Sequence, residues 1–241
     1  MSDHRRPLTL QLVQHMVPQP PIPLGRLGKN QQEHCTTVSI STKRWATAFG
    51  QRDGWESIAG LYAFWWRVND EIPLPVNNAK HWVKGKRRGK HDPKELHDSV
   101  EYRKIGDDKK EHLYYRAEWQ FPKYDLFDGT YIPLYIGKAN NIFSRVKQHL
   151  SWPQRCADHY AGAEPTFNPD EPIEKFTTFQ QFSDGFHYLF RDRLDFAQRA
   201  KLDYVCLSLH KTPFHDFRTR FYLEDLLIGW FQPPFNMDSE R

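Results

Sequence analysis

The chain has 241 residues, of which 27% are charged and 15% aromatic, and its formal net charge at pH 7 is +4. This length can bury one good core and a small second module, while a mean hydropathy of −0.78 argues against a membrane-spanning segment. The charge is too small to indicate nucleic-acid binding by itself, so any such interaction must come from local clusters.

The three cysteines, Cys35, Cys156 and Cys206, are far apart and form no Cys-x-x-Cys pair. Their odd number and spacing predict free thiols in a reducing compartment, not disulfides or a zinc site. The first residues lack the charged, apolar and small-residue pattern of a secretory signal. We therefore expect a cytoplasmic protein.

Residues 1–56 are predicted to form an N-terminal arm and accessory segment. Residues 1–34 lack sustained periodicity and have four prolines between positions 18 and 23, which favours an irregular, partly polyproline II conformation. Such an arm could contact DNA or be a plain tail. Residues 36–42 alternate like a short strand, and residues 43–55 place their aromatic side chains at helical spacing.

Residues 58–68, IAGLYAFWWRV, have the composition of a strand that occupies a central position in a sheet. Tyr62 within this strand has two interpretations. It could be a core tyrosine whose hydroxyl finds one partner, or it could be a functional group. The residue alone favours the core interpretation.

A basic cluster lies within residues 70–130. Residues 84–90 contain five basic residues and two glycines, which predicts a mobile loop. The loop is either a solvated surface segment or a set of phosphate contacts, whose binding would be salt-dependent and independent of sequence. The basic residues are Lys84, Lys86, Arg87, Arg88 and Lys90.

Residues 112–121 are predicted to be a strand that runs antiparallel towards the segment at 134–150. Residues 127–130 contain an Asp-Gly pair and are predicted to be a turn. In the segment LYIGKANNIFSRVKQHL, residues 134–136 end a strand and Gly137 allows the backbone to turn. Residues 138–150 then show the apolar spacing of a helix.

Arg145 and His149 are four residues apart in this predicted helix, so they project from one side of it. They lie beside the apolar stripe that Ile142, Val146 and Leu150 form, not opposite it. A fixed cation and a titratable imidazole are thus held at the edge of a buried surface, which suggests a functional site.

The C-terminal part begins with a proline-rich excursion at 151–180. Residues 175–199 contain a helix-like part, best from 184 onward, and residues 202–209 alternate like a core-facing strand. Residues 217–231 are predicted to be the last helix, which Pro233 and Pro234 terminate.

Glu224 lies in the apolar stripe of that last helix, since Phe221, Leu227, Ile228 and Phe231 follow helical spacing around it. An unpaired buried carboxylate costs several kcal/mol, roughly, so the position needs a cation, a hydrogen-bond network or a raised pKa. Pairing with a buried arginine is the structural interpretation. A divalent cation that takes oxygen ligands is the alternative.

These segments resemble, in order, the parts of the GIY-YIG nucleases. Gly60-Leu61-Tyr62 matches the first motif, with Leu in place of Ile, and Tyr135-Ile136-Gly137 matches the second. The family then has a helix with an essential Arg, and a later helix with a metal-binding Glu that is often followed by an Asn. The ordered set is specific, although it covers less than half of the chain. The later matches are Arg145, Glu224 and Asn236, and His149 matches a His of a restriction-enzyme branch.

The resemblance implies a role for each matched residue. Glu224 would bind Mg²⁺ or Mn²⁺ at the scissile phosphate, and Arg145 would neutralise the charge that develops on the phosphoryl oxygens. Tyr62 would be the general base or would orient the water. A phenol with a pKa of about 10 needs a nearby cation such as Lys138, or a metal-linked water, for this task. Tyr135 and His149 would also be catalytic and would position the water or the phosphate. Lys138 and Asn236 would be supporting residues, Asn236 through hydrogen bonding.

One departure from the family is the 72 residues between Tyr62 and Tyr135, where the family has a short hairpin. An insertion at 70–130 resembles the elaborated branch of type II restriction endonucleases, and we expect it to bind DNA. The predicted nuclease domain spans residues 57–241. Its fold class is α/β, with a small central, mainly antiparallel sheet flanked by helices.

The resemblance predicts a metal-dependent DNA endonuclease of the type II restriction class, for which a homodimer on a palindromic site is one arrangement. Its partner would be double-stranded DNA, and no membrane is involved. The alternatives are a structure-specific repair or homing-type nuclease and a non-catalytic DNA-binding module. The chain ends five residues past Asn236, without the additional DNA-binding domain usual in the first alternative. Retention of Tyr62, Arg145 and Glu224 argues against the second.

Overall fold

The computed structural model describes residues 21–28, 40–49, 58–70, 73–78, 80–84, 102–105, 111–126, 129–150, 181–190, 200–213 and 215–236. Its strands are β1 (Ile22–Pro23), β2 (Gly60–Arg67), β3 (Lys80–Lys84), β4 (Tyr102–Ile105), β5 (Glu111–Glu118), β6 (Tyr124–Leu126), β7 (Gly129–Ala139) and β8 (Val205–Lys211). Its helices are α1 (Leu24–Leu27), α2 (Thr42–Ala48), α3 (Ile142–Leu150), α4 (Gln181–Leu189) and α5 (Phe217–Phe231), and short 3₁₀ turns span Val76–Asn78 and Pro234–Asn236.

Five strands form an antiparallel sheet in the order β1-β8-β2-β7-β6. The predicted central position of residues 58–68 is confirmed, because β2 pairs with β7 on one side and with β8 on the other. An antiparallel sheet packed with helices agrees with the α/β class expected from the sequence.

The alternation of side chains along β2 divides the core into two layers, since successive residues of a strand point to opposite faces. One face packs against α3 and α4, and the other packs against α5. Each of the large buried side chains contributes about 1.5–3 kcal/mol of hydrophobic stabilisation. The first face carries Tyr62, Phe64 and Trp66, and the second carries Leu61, Ala63 and Trp65.

The second motif strand is longer than predicted. β7 continues through Gly137 to Ala139, because it stays paired with β2 as far as Gly60. The predicted helix start at 138 is therefore wrong, and α3 begins at Ile142. Asn141 caps this helix, since its Oδ1 accepts a hydrogen bond of 2.8 Å from the backbone N–H of Ser144.

The insertion between the motif strands contains a second, three-stranded antiparallel sheet in the order β3-β5-β4. The strand predicted at 112–121 corresponds to β5, but β5 pairs with β3 and β4. The prediction that it runs towards the motif sheet is therefore wrong, and β6 is the strand that pairs with β7. The predicted turn at 127–130 ends in β7, and its first two residues lie outside the described residues.

The N-terminal region contributes to the main fold. β1 pairs with β8 at the sheet edge, and the α1 side chains of Leu24 and Leu27 are fully buried. The prediction of an irregular arm is thus wrong for residues 22–27. Of the helix expected at 43–55, residues 43–48 are helical in α2, which ends at Ala48, and residues 50–57 lie outside the described part. Of the strand expected at 36–42, Ile40 forms one isolated bridge with Gly28, Thr42 already belongs to α2, and residues 36–39 lie outside the described part.

In the C-terminal half, α5 matches its predicted bounds. The strand expected at 202–209 starts later, at Val205, because residues 200–204 are helical. α4 starts at Gln181, whereas the excursion at 151–180 lies outside the described ranges. Cys206 is buried and forms no disulfide with the described residues. None of the helices in these ranges combines the length and apolar character needed to cross a membrane.

Candidate active site

The two motif tyrosines are close together because β2 and β7 are neighbours. Tyr62 is opposite Gly137 in the strand register, and the ring centroids of Tyr62 and Tyr135 are 6.1 Å apart. A Cβ atom at Gly137 would lie 2.5 Å from the Tyr62 hydroxyl oxygen and 2.8 Å from Cε1 of Tyr135. Gly137 is therefore needed for the space it leaves to the two rings, and not for the backbone turn that we predicted.

The glycine of the first motif has a different task. Gly60 has a φ of 156°, which side chains rarely adopt, and a Cβ atom there would overlap the backbone carbonyl of His210 on β8. Gly60 therefore allows β2 and β8 to approach each other at the end of the strand that carries Tyr62.

His149 of α3 points into the sheet and binds the first tyrosine. Its Nε2 atom lies 2.7 Å from the Tyr62 hydroxyl oxygen, and both residues have no solvent exposure. The other ring nitrogen, Nδ1, is buried and has no hydrogen-bond partner among the described residues. His149 follows Arg145 by four residues, and the helix places its imidazole in hydrogen-bonding contact with Tyr62.

Arg145 lies one helical turn before His149 and is partly exposed. Burial raises the pKa of both tyrosines, and the positive charge of Arg145 offsets part of that rise for each phenol. Its Nη1 atom also donates a hydrogen bond of 3.1 Å to Oε1 of Gln148. Arg145 is therefore a cation that acts on both phenols, whereas the sequence suggests Lys138 for the position next to Tyr62.

Burial dominates the protonation of these groups. It raises the pKa of Tyr62 well above its usual value of 10.0, and it raises the pKa of Tyr135 to about 12. Burial and the nearby Arg145 cation lower the pKa of His149 to about 3. At neutral pH the site thus holds two protonated phenols and one neutral imidazole.

This buried imidazole makes the stability of the protein depend on pH. The pKa of His149 is about 3 in the folded protein and 6.5 in the unfolded chain. Between pH 3 and pH 6.5 the unfolded chain therefore binds a proton at His149 that the folded chain does not bind. We expect the contribution of His149 to the free energy of unfolding to be fully present above pH 6.5 and to be lost as the pH decreases towards 3. This group then gives a slope of up to about 1.4 kcal/mol per pH unit.

Denaturant unfolding at several pH values between 7.5 and 4 measures that slope. His149→Gln should reduce the slope, and His215→Gln, at an exposed position before α5, should leave it as in the wild type. Equal slopes in the wild type and the His149 variant would contradict the buried neutral imidazole.

Glu224 reaches the same region from α5 on the other face of the sheet. Only 7% of Glu224 is exposed, and its Oε2 atom forms an ion pair with Nζ of Lys138. Its charge also raises the pKa of Tyr135, so the carboxylate acts electrostatically on the tyrosine cluster. Of the predicted apolar stripe, Leu227 and Phe231 are buried, whereas Phe221 is 47% exposed and packs its ring against the Lys138 ammonium.

Asn236 holds the second motif strand in place. Its Oδ1 atom accepts a hydrogen bond of 2.7 Å from the backbone N–H of Ile136, and its Nδ2 atom donates one of 2.6 Å to the carbonyl of the same residue. The amide thus acts as a short strand partner between Tyr135 and Gly137. The hydrogen bonds fix the backbone at Ile136, and the supporting role of Asn236 in a nuclease site stays a prediction.

Arg220 is a structural residue that the sequence analysis missed. It is 2% exposed, and it donates hydrogen bonds of 2.5 Å to Oδ1 of Asn140 and 2.8 Å to the carbonyl of Pro213. Arg220 therefore ties α5 to the turn between β7 and α3. Its position four residues before Glu224, on the same side of the helix, was the available signal.

A divalent cation in this site would take Glu224 as its protein ligand. In the part of the chain that the structure describes, no three His, Cys, Asp or Glu side chains come together as a metal-binding group. A lone carboxylate suits Mg²⁺, which keeps several waters and completes its shell with substrate phosphate. The donor set therefore fits Mg²⁺ or Mn²⁺, and it does not fit a tetrahedral zinc site.

The predicted site residues fall into two groups. Seven of them, contributed by β2, β7, α3, α5 and the final 3₁₀ turn, surround the end of the central strands. In the basic cluster, Lys84 ends β3 and is not in a loop, and the other four residues lie outside the described ranges. The seven clustered residues are Tyr62, Tyr135, Lys138, Arg145, His149, Glu224 and Asn236.

Comparison of the chain with protein-family models, with curated proteins and with solved structures finds no match. The resemblance to the GIY-YIG nucleases therefore depends on the residues of this chain and on their arrangement.

Proposed function

We propose that this protein is a metal-dependent DNA endonuclease with a GIY-YIG-like catalytic domain, and that it acts as a type II restriction enzyme on duplex DNA. The observation that carries the proposal is the hydrogen bond between Tyr62 and His149, which are 87 positions apart. Arg145 lies beside that pair, and Glu224 lies within electrostatic range of Tyr135. This set of a cation, phenols, an imidazole and a carboxylate supports phosphodiester hydrolysis.

Proton removal from the attacking water is the first task of the site. Tyr135 retains 5% exposure and Tyr62 has none, so the water contacts Tyr135. Burial raises the pKa of both phenols, and the Tyr62 hydroxyl is hydrogen-bonded to Nε2 of His149. In the proposed relay the water proton passes to the Tyr135 oxygen, the Tyr135 proton passes to the neighbouring Tyr62, and the Tyr62 proton passes to Nε2 of His149.

The neutral imidazole is a weak acceptor in the absence of DNA, because burial and Arg145 lower the pKa of His149 to about 3. A DNA phosphate at Arg145 would compensate the guanidinium charge. The pKa of His149 would then rise, so substrate binding itself would make the imidazole a better proton acceptor.

Charge stabilisation is the second task. The Arg145 guanidinium can hold two phosphoryl oxygens at once, which a planar fork does better than a single ammonium. Glu224 would hold Mg²⁺ or Mn²⁺. When bound there, the metal would supply Lewis-acid stabilisation of the phosphate and of the departing 3′ oxygen. Asn236 keeps Tyr135 in position through the backbone of Ile136.

Incubation of the full chain with duplex DNA and Mg²⁺, followed by mapping of the cut ends, tests the proposal. Discrete fragments with a shared sequence at their ends would support restriction cleavage. Cleavage only at branched or nicked structures would favour the repair or homing class. Binding without cleavage would overturn the enzymatic proposal and favour a DNA-binding module.

The basic cluster should add affinity without selectivity. We expect neutralisation of Lys86, Arg87 and Arg88 together to weaken binding to all duplexes alike, and to reduce the slope of log affinity against log salt by about 0.9 for each DNA phosphate that the variant no longer neutralises. Binding measured at three salt concentrations on cognate and random duplexes tests this. Site preference should survive, since backbone contacts carry no sequence information. An unchanged slope would exclude the cluster from the DNA interface.

A further inference from the structure

Lys138, Glu224 and Phe221 form a compact unit at the edge of the site. The Lys138 ammonium forms an ion pair with the Glu224 carboxylate, and the side chains are 16% and 9% exposed, respectively. The same ammonium lies 3.7 Å from the centroid of the Phe221 ring. Phe221 and Glu224 are three residues apart on α5, so one helix surface presents both contacts to the β7 lysine.

In this arrangement the Lys138 ammonium is a counter-ion of the Glu224 carboxylate. The attraction between two charges is greater where both are largely removed from water, and removal of one charge from such a pair is strongly destabilising. The aromatic face adds a second attraction for the ammonium. A divalent cation that binds Glu224 must therefore compete with Lys138 for the same negative charge.

We propose that Lys138 is a resident counter-ion of Glu224, that a divalent cation must displace it, and that a DNA phosphate accepts the released ammonium. The proposal rests on the proposed function, since it assigns Glu224 as the metal ligand. Lys138 lowers metal affinity while DNA is absent and binds substrate when DNA is present. By thermodynamic linkage, DNA then tightens metal binding by the same factor by which metal tightens DNA binding.

Binding of Mn²⁺ to the full-length protein in the absence of DNA tests this, with free Mn²⁺ counted by its paramagnetic resonance signal. We expect Lys138→Met to bind Mn²⁺ about tenfold more tightly than the wild type, because the Lys138 ammonium then no longer competes with the metal for the Glu224 carboxylate. Lys138→Arg keeps a cation there and should bind Mn²⁺ as weakly as the wild type. Glu224→Gln should abolish this binding.

One control variant tests for a general effect of charge, and one substitute variant covers the case in which Lys138→Met does not fold. Lys147→Met removes one positive charge from an exposed position on α3 and should leave Mn²⁺ affinity unchanged. If Lys138→Met does not fold, Lys138→Gln provides the same comparison with a side chain that can still hydrogen-bond to Glu224. In either folded variant, Mn²⁺ should raise the melting temperature more than in the wild type.

Equal Mn²⁺ affinities for the wild type and the neutral Lys138 variants would overturn the inference. Absence of any Mn²⁺ binding that depends on Glu224 would overturn it as well. Neither outcome decides the proposed function, because cleavage of duplex DNA by the wild-type protein is measured separately and does not depend on how tightly metal binds without DNA.

Discussion

Replacement of Glu224 by Gln is expected to abolish cleavage of duplex DNA in Mg²⁺ while the fold and the affinity for DNA stay largely intact. Glutamine has nearly the same shape but no negative charge, so it cannot supply the carboxylate that a hard divalent cation requires. Its amide oxygen can still accept a hydrogen bond from Lys138, the ion-pair partner of Glu224, which should preserve the local packing.

Cleavage rate, thermal unfolding and DNA affinity of the same preparation measure this outcome. Asp225→Asn is the matched control, because Asp225 is the next residue of α5 and is exposed. The control should cleave at the wild-type rate. Normal cleavage by the Glu224 variant would show that Glu224 is not the metal ligand, and the proposed active site would have to be abandoned.

Replacement of Arg145 by Lys is expected to reduce turnover by about 10²-fold or more, the size of the loss when one transition-state hydrogen-bond donor is removed. Lysine keeps the positive charge but loses the planar fork that can hold two phosphate oxygens. It also loses the geometry with which Arg145 acts on both Tyr62 and Tyr135. Ground-state affinity for DNA should change much less, since the charge is retained.

Single-turnover cleavage and equilibrium binding separate these two effects. Arg218→Lys, at an exposed position of α5, is the control for the chemical change and should leave turnover as in the wild type. If the Arg145 variant has wild-type turnover but binds DNA more weakly, Arg145 only holds a DNA phosphate in the ground state. The transition-state role proposed for it would then be wrong.

The regular elements with strong periodicity could be predicted from the sequence. The central strand at 58–68, the helix at 217–231 and the one-sided projection of Arg145 and His149 all follow from local spacing, which the backbone geometry translates directly into faces. Boundaries were less predictable. Gly137 indicated a turn, yet pairing with β2 extends β7 to Ala139, because hydrogen bonds to a neighbouring strand outweigh the preference of one glycine.

Contacts between distant segments could not be predicted from spacing. The sequence placed Lys138 near Tyr62, whereas the structure pairs it with Glu224. No local pattern indicates that β5 pairs with β3 and β4 in a separate sheet. Arg220 went unnoticed, because its meaning depends on Asn140, 80 positions away along the chain.

The order of the motif residues and the kinds of element that carry them can be read from the amino-acid sequence, because they depend on neighbours a few positions away. Which charges and hydroxyls come into contact depends on how distant segments pack. Tyr62 forms a hydrogen bond with His149 on one face of the sheet, and Glu224 forms an ion pair with Lys138 on the other face. The register of β2 on β7 and the packing of α3 and α5 set these distances, and burial then sets the protonation of each group.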